Sequence, residues 1–356
     1  NAPRHDQFKI SSLNVFIKPI ENLSRTFVKH PFVPASIKEF DSRAQEILNI
    51  QSTGLARRMI SAHTEKLIIG LSGGLDSTLA FLVCLETLKS QAVEQKNLIA
   101  VTLPGPGTSE HTLQSVHELT ESVDVKVREI KIHTAVEQHL RDIEHSGNTD
   151  TVFENAQARE RTQVLFDLAN QEAGIVVGTG DLSELALGWC TFNADQMSNY
   201  NVNVSVPKTM IIYLVEWYAK HKASKNLALA LKRVIDTPIS PELIPPKQGE
   251  IQQKTEEVIG PYELHDFFIY HFLRNGSSPT KIFHLANLAY KEKYSQKEIQ
   301  KWLKLFFERF FSQQFKRTTL PPGPKIGSVS LSPRGDWRMP DEASAKIYTK
   351  EIEALI

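Results

Sequence analysis

The chain has 356 residues, which is long enough to bury a large hydrophobic core in one large domain or two modest ones. Its 41 basic and 41 acidic residues balance, and this argues against binding to nucleic acid through overall charge. The two cysteines, Cys84 and Cys190, do not form a disulfide framework and predict a reducing, cytoplasmic compartment, and no apolar run is long enough to span a membrane.

The N-terminal part is predicted to be a linker followed by a helix. Residues 30–34 read HPFVP, and the two prolines favour an extended backbone in the residues before them. Between about residues 36 and 62, apolar residues recur at the spacing of one helix face. We therefore expect residues 1–35 to form a linker and the main domain to begin near residue 36.

From residue 66 onward, apolar strand-like segments alternate with helical segments. The predicted strands are 66–71, 97–103, 125–132 and 174–178, and the predicted helices are 77–90, 109–123 and 154–172. This alternation predicts an α/β fold with a doubly wound parallel sheet. Because ligands in such folds bind at the carboxyl ends of the strands, the loops 72–77, 104–109 and 179–184 are expected to lie together.

After about residue 207 the strand pattern stops and a helical C-terminal part begins. Helices are predicted at 208–223, 225–235, 262–274, 279–290 and 295–312, with a short terminal helix within 343–356. Between them, residues 236–261 are rich in Pro, Gln and Glu, and we expect no secondary structure there. Such a segment predicts a lid that orders when nucleotides bind.

The first candidate site is the segment KLIIGLSGGLDS at residues 66–77, which predicts a strand, a glycine turn and a helix. Gly73 and Gly74 let a phosphate approach the backbone closely, and a helix N-terminus favours an anion. The hydroxyl groups of Ser72, Ser77 and Thr78 add donors. The alternative is a tight strand-to-helix turn with solvated hydroxyls.

The same segment differs from a Walker phosphate loop, which needs a lysine after its glycines. No lysine lies between Lys66 and Lys89, and Asp76 lies beside the predicted phosphate cradle instead. A carboxylate next to phosphates needs a bridging metal ion, and Mg²⁺ is the usual one. The segment therefore predicts a site that holds pyrophosphate with Mg²⁺ and does not transfer a terminal phosphoryl group.

The second candidate site is GTGDLSE at residues 178–184, which follows the last predicted strand and opens a helix. Its position predicts that it lies at the same edge of the sheet as the first site. Glu184 is a candidate second ligand for the Mg²⁺ beside Asp76. The alternative is an ordinary helix-capping arrangement, with Asp181 as the cap.

These motifs carry a resemblance to a known family. SGGLDST resembles the signature loop of the N-type ATP pyrophosphatases, which split ATP into AMP and pyrophosphate to activate a carboxyl or carbonyl oxygen. The loop alone does not separate NAD synthetases from GMP synthetases, asparagine synthetases or tRNA-modifying relatives. Longer segments are similar to glutamine-dependent NAD synthetases, and they lie at 30–34, 154–163, 185–208, 236–245, 260–273 and 311–340.

The resemblance covers about residues 30–342 and implies the synthetase domain of such an enzyme at 36–342, with an adenine nucleotide alpha hydrolase-like, Rossmann-like fold. The implied reaction is ATP-dependent amidation of deamido-NAD⁺ to NAD⁺ through an adenylated intermediate, with release of AMP and pyrophosphate. The implied cofactors are ATP and Mg²⁺. A homo-oligomer is also implied.

The resemblance assigns roles to individual residues. The implied ATP-binding residues are Gly70, Leu71, Ser72, Gly73, Gly74, Leu75, Asp76, Ser77, Thr78, Thr179 and Lys208. The implied substrate-binding residues are Asn155, Arg159, Glu184, Trp189, Cys190, Thr191, Phe192 and Lys316. Asp76 and Glu184 match the metal ligands, and Asp76, Glu184, Lys208 and Lys316 are the implied catalytic residues. Without the family, Trp189 and Phe192 could be core aromatics, and the two lysines could be solvated surface residues.

One part of the family pattern has no counterpart in the sequence. Glutamine-dependent NAD synthetases carry a nitrilase-like glutaminase domain with a cysteine nucleophile, and neither Cys84 nor Cys190 has that setting. Residues 1–35 are therefore interpreted as the linker from such a domain. Free ammonia, or a glutaminase domain or subunit, would supply the nitrogen.

Two alternative functions remain open at this point. The first is another ATP-pyrophosphatase amidotransferase or a tRNA-modifying enzyme, although the balanced charge argues against tRNA. The second is an adenine-nucleotide sensor that binds ATP without turnover. The QFKRTTLPPGPK segment and the aromatic residues within 189–192 favour a dinucleotide, and two carboxylates with two lysines exceed what binding alone needs.

Overall fold

The computed structural model describes residues 11–15, 25–34, 36–237 and 255–356. Most of the predicted lid, at 238–254, and most of the predicted linker therefore lie outside the described residues. One part of the lid prediction is wrong, because Thr255–Ile259 forms a short helix within the segment expected to have no secondary structure. The predicted helix before the sheet is confirmed as α1 (Ile37–Ser61), which Ser36 caps by accepting a hydrogen bond from the Glu39 N–H.

A five-stranded, fully parallel sheet forms the centre of the described structure. Its strands are β1 (Leu67–Gly70), β2 (Leu98–Thr102), β3 (Val127–Glu129), β4 (Ile175–Gly178) and β5 (Tyr200–Asn201). Their spatial order is β3-β2-β1-β4-β5. The chain builds outward from β1 through β2 and β3 and then returns to β4 and β5 on the other side. The reversal creates a crevice between β1 and β4, which is where ligands bind in open α/β sheets.

The central strands are apolar throughout because both of their faces are covered. Leu67 and Ile69 face one core, and Ile68, between them, faces the other, as the twofold period of a strand requires. Register follows the same pattern, because Leu67 lies opposite both Leu98 and Ile175. This arrangement confirms the predicted α/β fold with a doubly wound parallel sheet.

Helices cover both faces of this sheet. The helices that follow α1 are α2 (Leu75–Ser90), α3 (Glu110–Glu121), α4 (His133–Asp142), α5 (Thr151–Glu172), α6 (Leu182–Leu187), α7 (Lys208–His221) and α8 (Lys225–Asp236). The first face packs against α1, α2, α3, α7 and α8, and the second packs against α4 and α5. A short 3₁₀ turn, Gln95–Asn97, leads into β2.

The C-terminal part is helical and has a core of its own. It contains α9 (Thr255–Ile259), α10 (Tyr262–Ile269), α11 (Pro279–Tyr290), α12 (Gln296–Ser312), α13 (Gln314–Thr318) and α14 (Lys346–Glu353), with a π-helical turn, Tyr270–Arg274, after α10. Aromatic side chains dominate this core, and Phe306, Phe307 and Phe310 on α12 are fully buried. The apolar side of α6 belongs to the same core, so α6 joins the sheet to the helical part.

Several elements differ from the prediction for local reasons. β5 was not predicted because it has only two residues and contains a polar Asn201. β3 is shorter than the predicted 125–132, since only Val127–Glu129 pairs with β2 at the edge of the sheet. α4 and α13 were not predicted. Among the described residues, no helix is both long enough and apolar enough to pass through a membrane.

A buried histidine in α10 makes the stability of this core depend on pH. Burial lowers the pKa of His265 from 6.5 to about 4. The hydrogen bond between Nε2 and the Ile259 carbonyl oxygen, at 2.7 Å, opposes this shift but is the smaller effect. The His265 Nδ1 is buried and has no hydrogen-bond partner among the described residues. The folded chain therefore keeps His265 neutral, whereas the unfolded chain protonates it below pH 6.5.

We predict that His265→Gln makes the unfolding free energy less dependent on pH. The amide keeps a donor for the Ile259 carbonyl but does not titrate. The stabilising contribution of neutral His265 is complete above pH 6.5 and is lost as the pH falls towards about 4. At ~1.36 kcal/mol per pH unit, the wild type should lose about 3 kcal/mol more than the variant over this range. Urea unfolding at neutral pH and at low pH measures the difference.

The matched control is His139→Gln on the exposed surface of α4. It should follow the wild type at both pH values, because the His139 side chain is exposed and lies outside the hydrophobic core. Equal losses in the wild type and in His265→Gln would contradict the assignment of a buried neutral imidazole.

Candidate active site

The loop after β1 presents backbone N–H groups at the start of α2. Gly73 has a φ of +76°, and a Cβ there would lie 2.7 Å from the Thr112 carbonyl oxygen, so only glycine fits without strain. Gly74 precedes α2 and has no side chain with which to cap it. The Ser72 hydroxyl accepts from the Gly74 N–H at 3.3 Å and lies 3.1 Å from the Ser77 hydroxyl. The turn therefore leaves room for an anion at a helix N-terminus.

Four charged side chains meet at the edge of the crevice between β1 and β4. The Lys208 ammonium lies 2.6 Å from Asp76 Oδ2, 2.7 Å from Asp181 Oδ2 and 3.0 Å from Glu184 Oε1. It also lies 5.1 Å from the centre of the Tyr262 ring. The Lys208 side chain is 1% exposed, so this is a buried cation surrounded by three acids and an aromatic face. We refer to Asp76, Asp181, Glu184 and Lys208 as the acidic cluster.

The pKa values in the cluster follow from burial and mutual attraction. Burial raises the pKa of Asp181 well above its usual value, and the neighbouring carboxylates add to this, while Lys208 opposes it. For the same reasons, burial raises the pKa of Glu184 to about 7. Burial alone would lower the pKa of Lys208, but the carboxylates together raise it well above its usual value. The ammonium is therefore charged at neutral pH.

Asp266 of α10 fixes the position of Lys208. Its carboxylate accepts from the Thr209 N–H at 2.9 Å and the Thr209 hydroxyl at 2.6 Å, and also from the Ser183 hydroxyl. That Ser183 oxygen in turn accepts from the Lys208 N–H at 2.9 Å. Asp266 is 1% exposed, so one buried carboxylate joins the starts of α6 and α7 to the helical part.

A second group of predicted residues lies on the segment that follows α6. The Thr191 hydroxyl donates to Asn155 Oδ1 of α5 at 2.9 Å. The Lys316 ammonium donates to the carbonyls of Gly188 and Cys190, at 2.8 and 2.7 Å. Lys316 is thus bound to backbone oxygens of this segment, and its hydrogen-bond partners are not the acidic cluster. Burial lowers the pKa of Lys316, and the nearby Cys190 opposes this shift.

The aromatic residues of this segment are partly open to solvent. Trp189 packs under the Arg309 guanidinium, whose carbon lies 5.3 Å from the ring centre. Phe192 is 38% exposed, and its ring centre lies 5.3 Å from that of Phe315. Arg159 is exposed on α5. Trp189 and Phe192 are therefore not fully buried core aromatics. They leave a flat apolar surface on the segment that follows α6.

The structure thus sorts the predicted residues into two groups. Asp76, Glu184 and Lys208 meet in the acidic cluster, beside the loop that holds Gly70 to Thr78. Asn155, Thr191, Cys190 and Lys316 meet on the segment after α6.

Sequence reasoning missed part of the site. Asp181 was weighed only as a cap, and it has both roles, since Oδ1 accepts from the Glu184 N–H at 2.8 Å while Oδ2 faces Lys208. Its position at the carboxyl end of β4 was a signal that could have identified it. Asn203 and Asp266 also support the acidic cluster through buried hydrogen bonds, Asn203 to the Asp76 carbonyl and Asp266 to residues beside Lys208 and Glu184, and no local pattern marks them.

Comparison with known proteins identifies relatives over most of the chain. The sequence model of the family described as NAD synthase matches residues 47–317. A glutamine-dependent NAD(+) synthetase of Mycobacterium leprae is 41% identical over 362 aligned positions, which cover 94% of this chain and 53% of that protein. The same enzyme of Mycobacterium tuberculosis strain H37Rv is 41% identical over 356 positions, covering 93% of this chain and 52% of that protein.

Among solved structures, the fold matches a glutamine-dependent NAD(+) synthetase from Cytophaga hutchinsonii with a TM-score of 0.69 at 18% identity. The match covers 88% of this chain and 56% of that one, and at this identity it concerns the fold alone. The chain spans about half the length of the curated relatives it matches.

We predict that Lys208→Met destabilises the fold strongly, because it leaves three buried or half-buried carboxylates without their cation. Removing one partner of a buried ion pair typically lowers the unfolding free energy by about 3–5 kcal/mol. Urea unfolding at neutral pH measures the loss.

The matched control is Lys222→Met, which removes an ammonium 3.0 Å from a single, partly exposed carboxylate, Glu86. The Lys222 side chain is 22% exposed and has one carboxylate partner, so its removal should lower the unfolding free energy less than removal of the fully buried Lys208. If Lys208→Met proved no more destabilising than Lys222→Met, Lys208 would not be the charge that holds the cluster together.

Proposed function

The chain belongs to the NAD synthase family, and we propose that it amidates deamido-NAD⁺ to NAD⁺ with ATP and ammonia. The nicotinate carboxylate would attack the α-phosphate of ATP and release pyrophosphate, and ammonia would then displace AMP from the adenylated carboxyl group. The observation that carries this proposal is the acidic cluster around Lys208, which lies beside an open phosphate loop at the switch point of the sheet. We take residues 36–342 as the domain concerned.

ATP would lie with its phosphates against the loop between β1 and α2. The N–H groups at the start of α2 and the hydroxyls of Ser72, Ser77 and Thr78 are donors for phosphate oxygens. Thr78 supports this role, because its hydroxyl oxygen is buried and has no hydrogen-bond partner among the described residues. Thr179, at the end of β4, would contact the adenosine side.

The donor set of the cluster fits Mg²⁺. Ligand oxygens of Asp76, Asp181 and Glu184 all lie within 4.8 Å of one another, and carboxylate oxygens are the ligands that Mg²⁺ prefers. Asp76 Oδ1 is buried and has no hydrogen-bond partner among the described residues, so one ligand position is free of competition. When bound through Asp76 and Glu184, the ion would stabilise negative charge on the phosphates.

Lys208 would serve the leaving pyrophosphate. Its ammonium is charged and buried, and its three N–H groups already face Asp76, Asp181 and Glu184, so it would act on the phosphates through its positive charge at a fixed position. Positioning of the two substrates supplies much of the remaining rate enhancement. No covalent intermediate on the protein is needed.

Deamido-NAD⁺ would occupy the second group of residues. Asn155 and Arg159 of α5 would bind the dinucleotide, and the segment Trp189 to Phe192 would form a wall for the nicotinate ring. Lys316 would act on the reacting carboxyl group from the adjoining turn. The exposed aromatic surface of Phe192 supports this assignment, because a flat pyridine ring needs an apolar face.

The function is tested by following AMP, pyrophosphate and NAD⁺ together, with ATP, MgCl₂ and ammonium chloride, in the presence and absence of deamido-NAD⁺. The three products should form in equal amounts and only when deamido-NAD⁺ is present. AMP release without NAD⁺ would indicate another ATP pyrophosphatase, and ATP binding without any product would indicate a nucleotide sensor.

We predict that Asp76→Asn or Glu184→Gln lowers kcat by at least about 100-fold, because each removes a ligand and a charge that act on the transferring group. The fold should remain, since each side chain is about one-fifth exposed and its amide occupies the same volume. Steady-state kinetics at limiting and saturating Mg²⁺, with circular dichroism as the check on folding, measures both effects.

The control is Glu172→Gln, which removes a carboxylate paired with Lys66 and Arg128. This pair lies at the amino end of β1, whereas the acidic cluster lies at the carboxyl end of the sheet. The kcat of Glu172→Gln should match the wild type. Wild-type turnover in Asp76→Asn or Glu184→Gln at limiting Mg²⁺ would refute the assigned roles.

We also predict that residues 1–356 use ammonia and not glutamine. Cys84 is fully buried within α2, and burial raises the pKa of its thiol. Burial likewise raises the pKa of Cys190, whose thiol lies 3.6 Å from Gln196 Oε1. Neither sulfur is therefore an activated nucleophile. A glutaminase domain or subunit would deliver ammonia to this chain, and the homo-oligomer stays a prediction.

The measurement is NAD⁺ formation with ammonium chloride or with glutamine freed of ammonia. The rate with ammonium should rise with pH, since only the unprotonated amine attacks. Comparable rates with both nitrogen sources would mean that a glutaminase site exists within residues 1–356.

A further inference from the structure

Two buried asparagines, one at the end of β5 and one directly after it, contact both segments that carry the acidic cluster. Asn201 is 1% exposed and Asn203 is fully buried, although neither is catalytic in the proposed function. Asn203 Nδ2 donates to the Asp76 carbonyl at 2.9 Å and to the Thr179 carbonyl at 3.0 Å. One side-chain amide thus spans the crevice between β1 and β4.

The orientation of this amide is fixed from the other side. Gln51 of α1 donates from Nε2 to Asn203 Oδ1 at 3.1 Å and to the Val202 carbonyl at 2.9 Å. If the Asn203 amide were turned over, its oxygen would face two carbonyl oxygens and its NH₂ group would face a donor. The hydrogen-bond network therefore allows one orientation only.

Asn201 supports the same arrangement. Its Nδ2 donates to the Gly180 carbonyl at 2.8 Å, and its Oδ1 accepts from the Asn203 N–H at 2.9 Å. The loop after β4 is therefore held at two consecutive carbonyls, Thr179 and Gly180, while the loop after β1 is held at Asp76.

Gln51 contributes to this arrangement without satisfying its own hydrogen bonds. Its Oε1 is buried and has no hydrogen-bond partner among the described residues. An unpaired buried oxygen is unfavourable for stability. Gln51 thus keeps its two hydrogen bonds from Nε2 although its Oε1 is unpaired. This is expected of a residue whose main role is to orient its neighbours and not to stabilise the fold.

We propose that Asn203, oriented by Gln51, is a positioning residue that sets the width of the crevice between the β1 and β4 loops. Asp76 lies in the first turn of α2, directly after the first loop, and Asp181 and Glu184 lie at the start of α6, directly after the second. The three contacts of Lys208, between 2.6 and 3.0 Å, require these loops at one separation. The expected change in kcat rests on the proposed function, whereas the expected change in the hydrogen exchange of the two loops does not.

Two variants test the proposal without adding charge. Asn203→Ser removes both donations across the crevice. Gln51→Met keeps the shape of the side chain, removes the unpaired oxygen and releases the Asn203 amide. Because Gln51→Met leaves the Val202 carbonyl and Asn203 Oδ1 without their donor, it should lower the melting temperature, and kcat is therefore read well below the unfolding transition. The matched control is Gln45→Met, on the same helix, where the amide donates to Asn49 Oδ1 at 2.8 Å on the surface.

The first measurement is hydrogen exchange of the full chain, read in peptides that contain residues 71–79 and 178–186. Both peptides should exchange about tenfold faster in Asn203→Ser and Gln51→Met than in the wild type, since the opening of each loop is no longer coupled to the other. Peptides over β3 and α4 should not change, and Gln45→Met should match the wild type throughout.

The second measurement is the split between kcat and KM. In both variants kcat for NAD⁺ formation should fall by about 10–100-fold, because misplaced groups lose transition-state stabilisation, while KM for ATP changes by less than about fivefold. A residue that only stabilises the fold would lower the melting temperature and leave kcat unchanged well below it.

Three results would overturn the proposal. The first is unchanged exchange in both loops, the second is a uniform increase over all peptides, and the third is an equal effect of Gln45→Met. If Asn203→Ser does not fold, Gln51→Met decides alone. If the wild type makes no NAD⁺, the proposed function fails, while the exchange measurement still decides whether the amide holds the two loops together.

Discussion

The buried ammonium of Lys208 is the interaction on which the rest of the site depends. An isolated charge in a protein interior is unfavourable by more than the whole stability of a typical domain, so it must be surrounded by partners. Here the partners come from the first turn of α2, the residue before α6 and α6 itself, while the lysine begins α7. Satisfying one charge therefore fixes the relative positions of three helices and two sheet loops.

The features that could be predicted from sequence are those whose causes are local. Leu67, Ile68 and Ile69 form a strand because an apolar run fits a sheet buried on both faces, and Gly73 marks a turn that only glycine adopts without strain. The parallel sheet then implied that the loops after β1 and β4 would meet. The contacts of Gln51 with Asn203 could not be predicted, because the partners are 152 residues apart and each is an ordinary polar residue locally.

The short helix α6 explains why the two groups of functional residues are adjacent but chemically different. Carboxylates gather at its N-terminal end, where Asp181 and Glu184 lie. Cations gather at its C-terminal end, where Arg309, Lys316 and Arg317 donate to carbonyls between residues 185 and 190. Both arrangements complement the direction of the backbone dipoles. A charged substitution at either end would therefore disturb both a helix terminus and a predicted binding surface.

The span of the Asp266 contacts has a consequence for the order in which the chain folds. Asp266 lies 83 residues after Ser183 and 57 after Thr209, and Lys208 lies 132 residues after Asp76. The sheet, Lys208 and α7 all precede α10 in the chain, so the buried hydrogen bonds of Asp266 are the last of these contacts that can form during synthesis. Completion of the network around the site therefore depends on long-range contacts of the kind that slow folding.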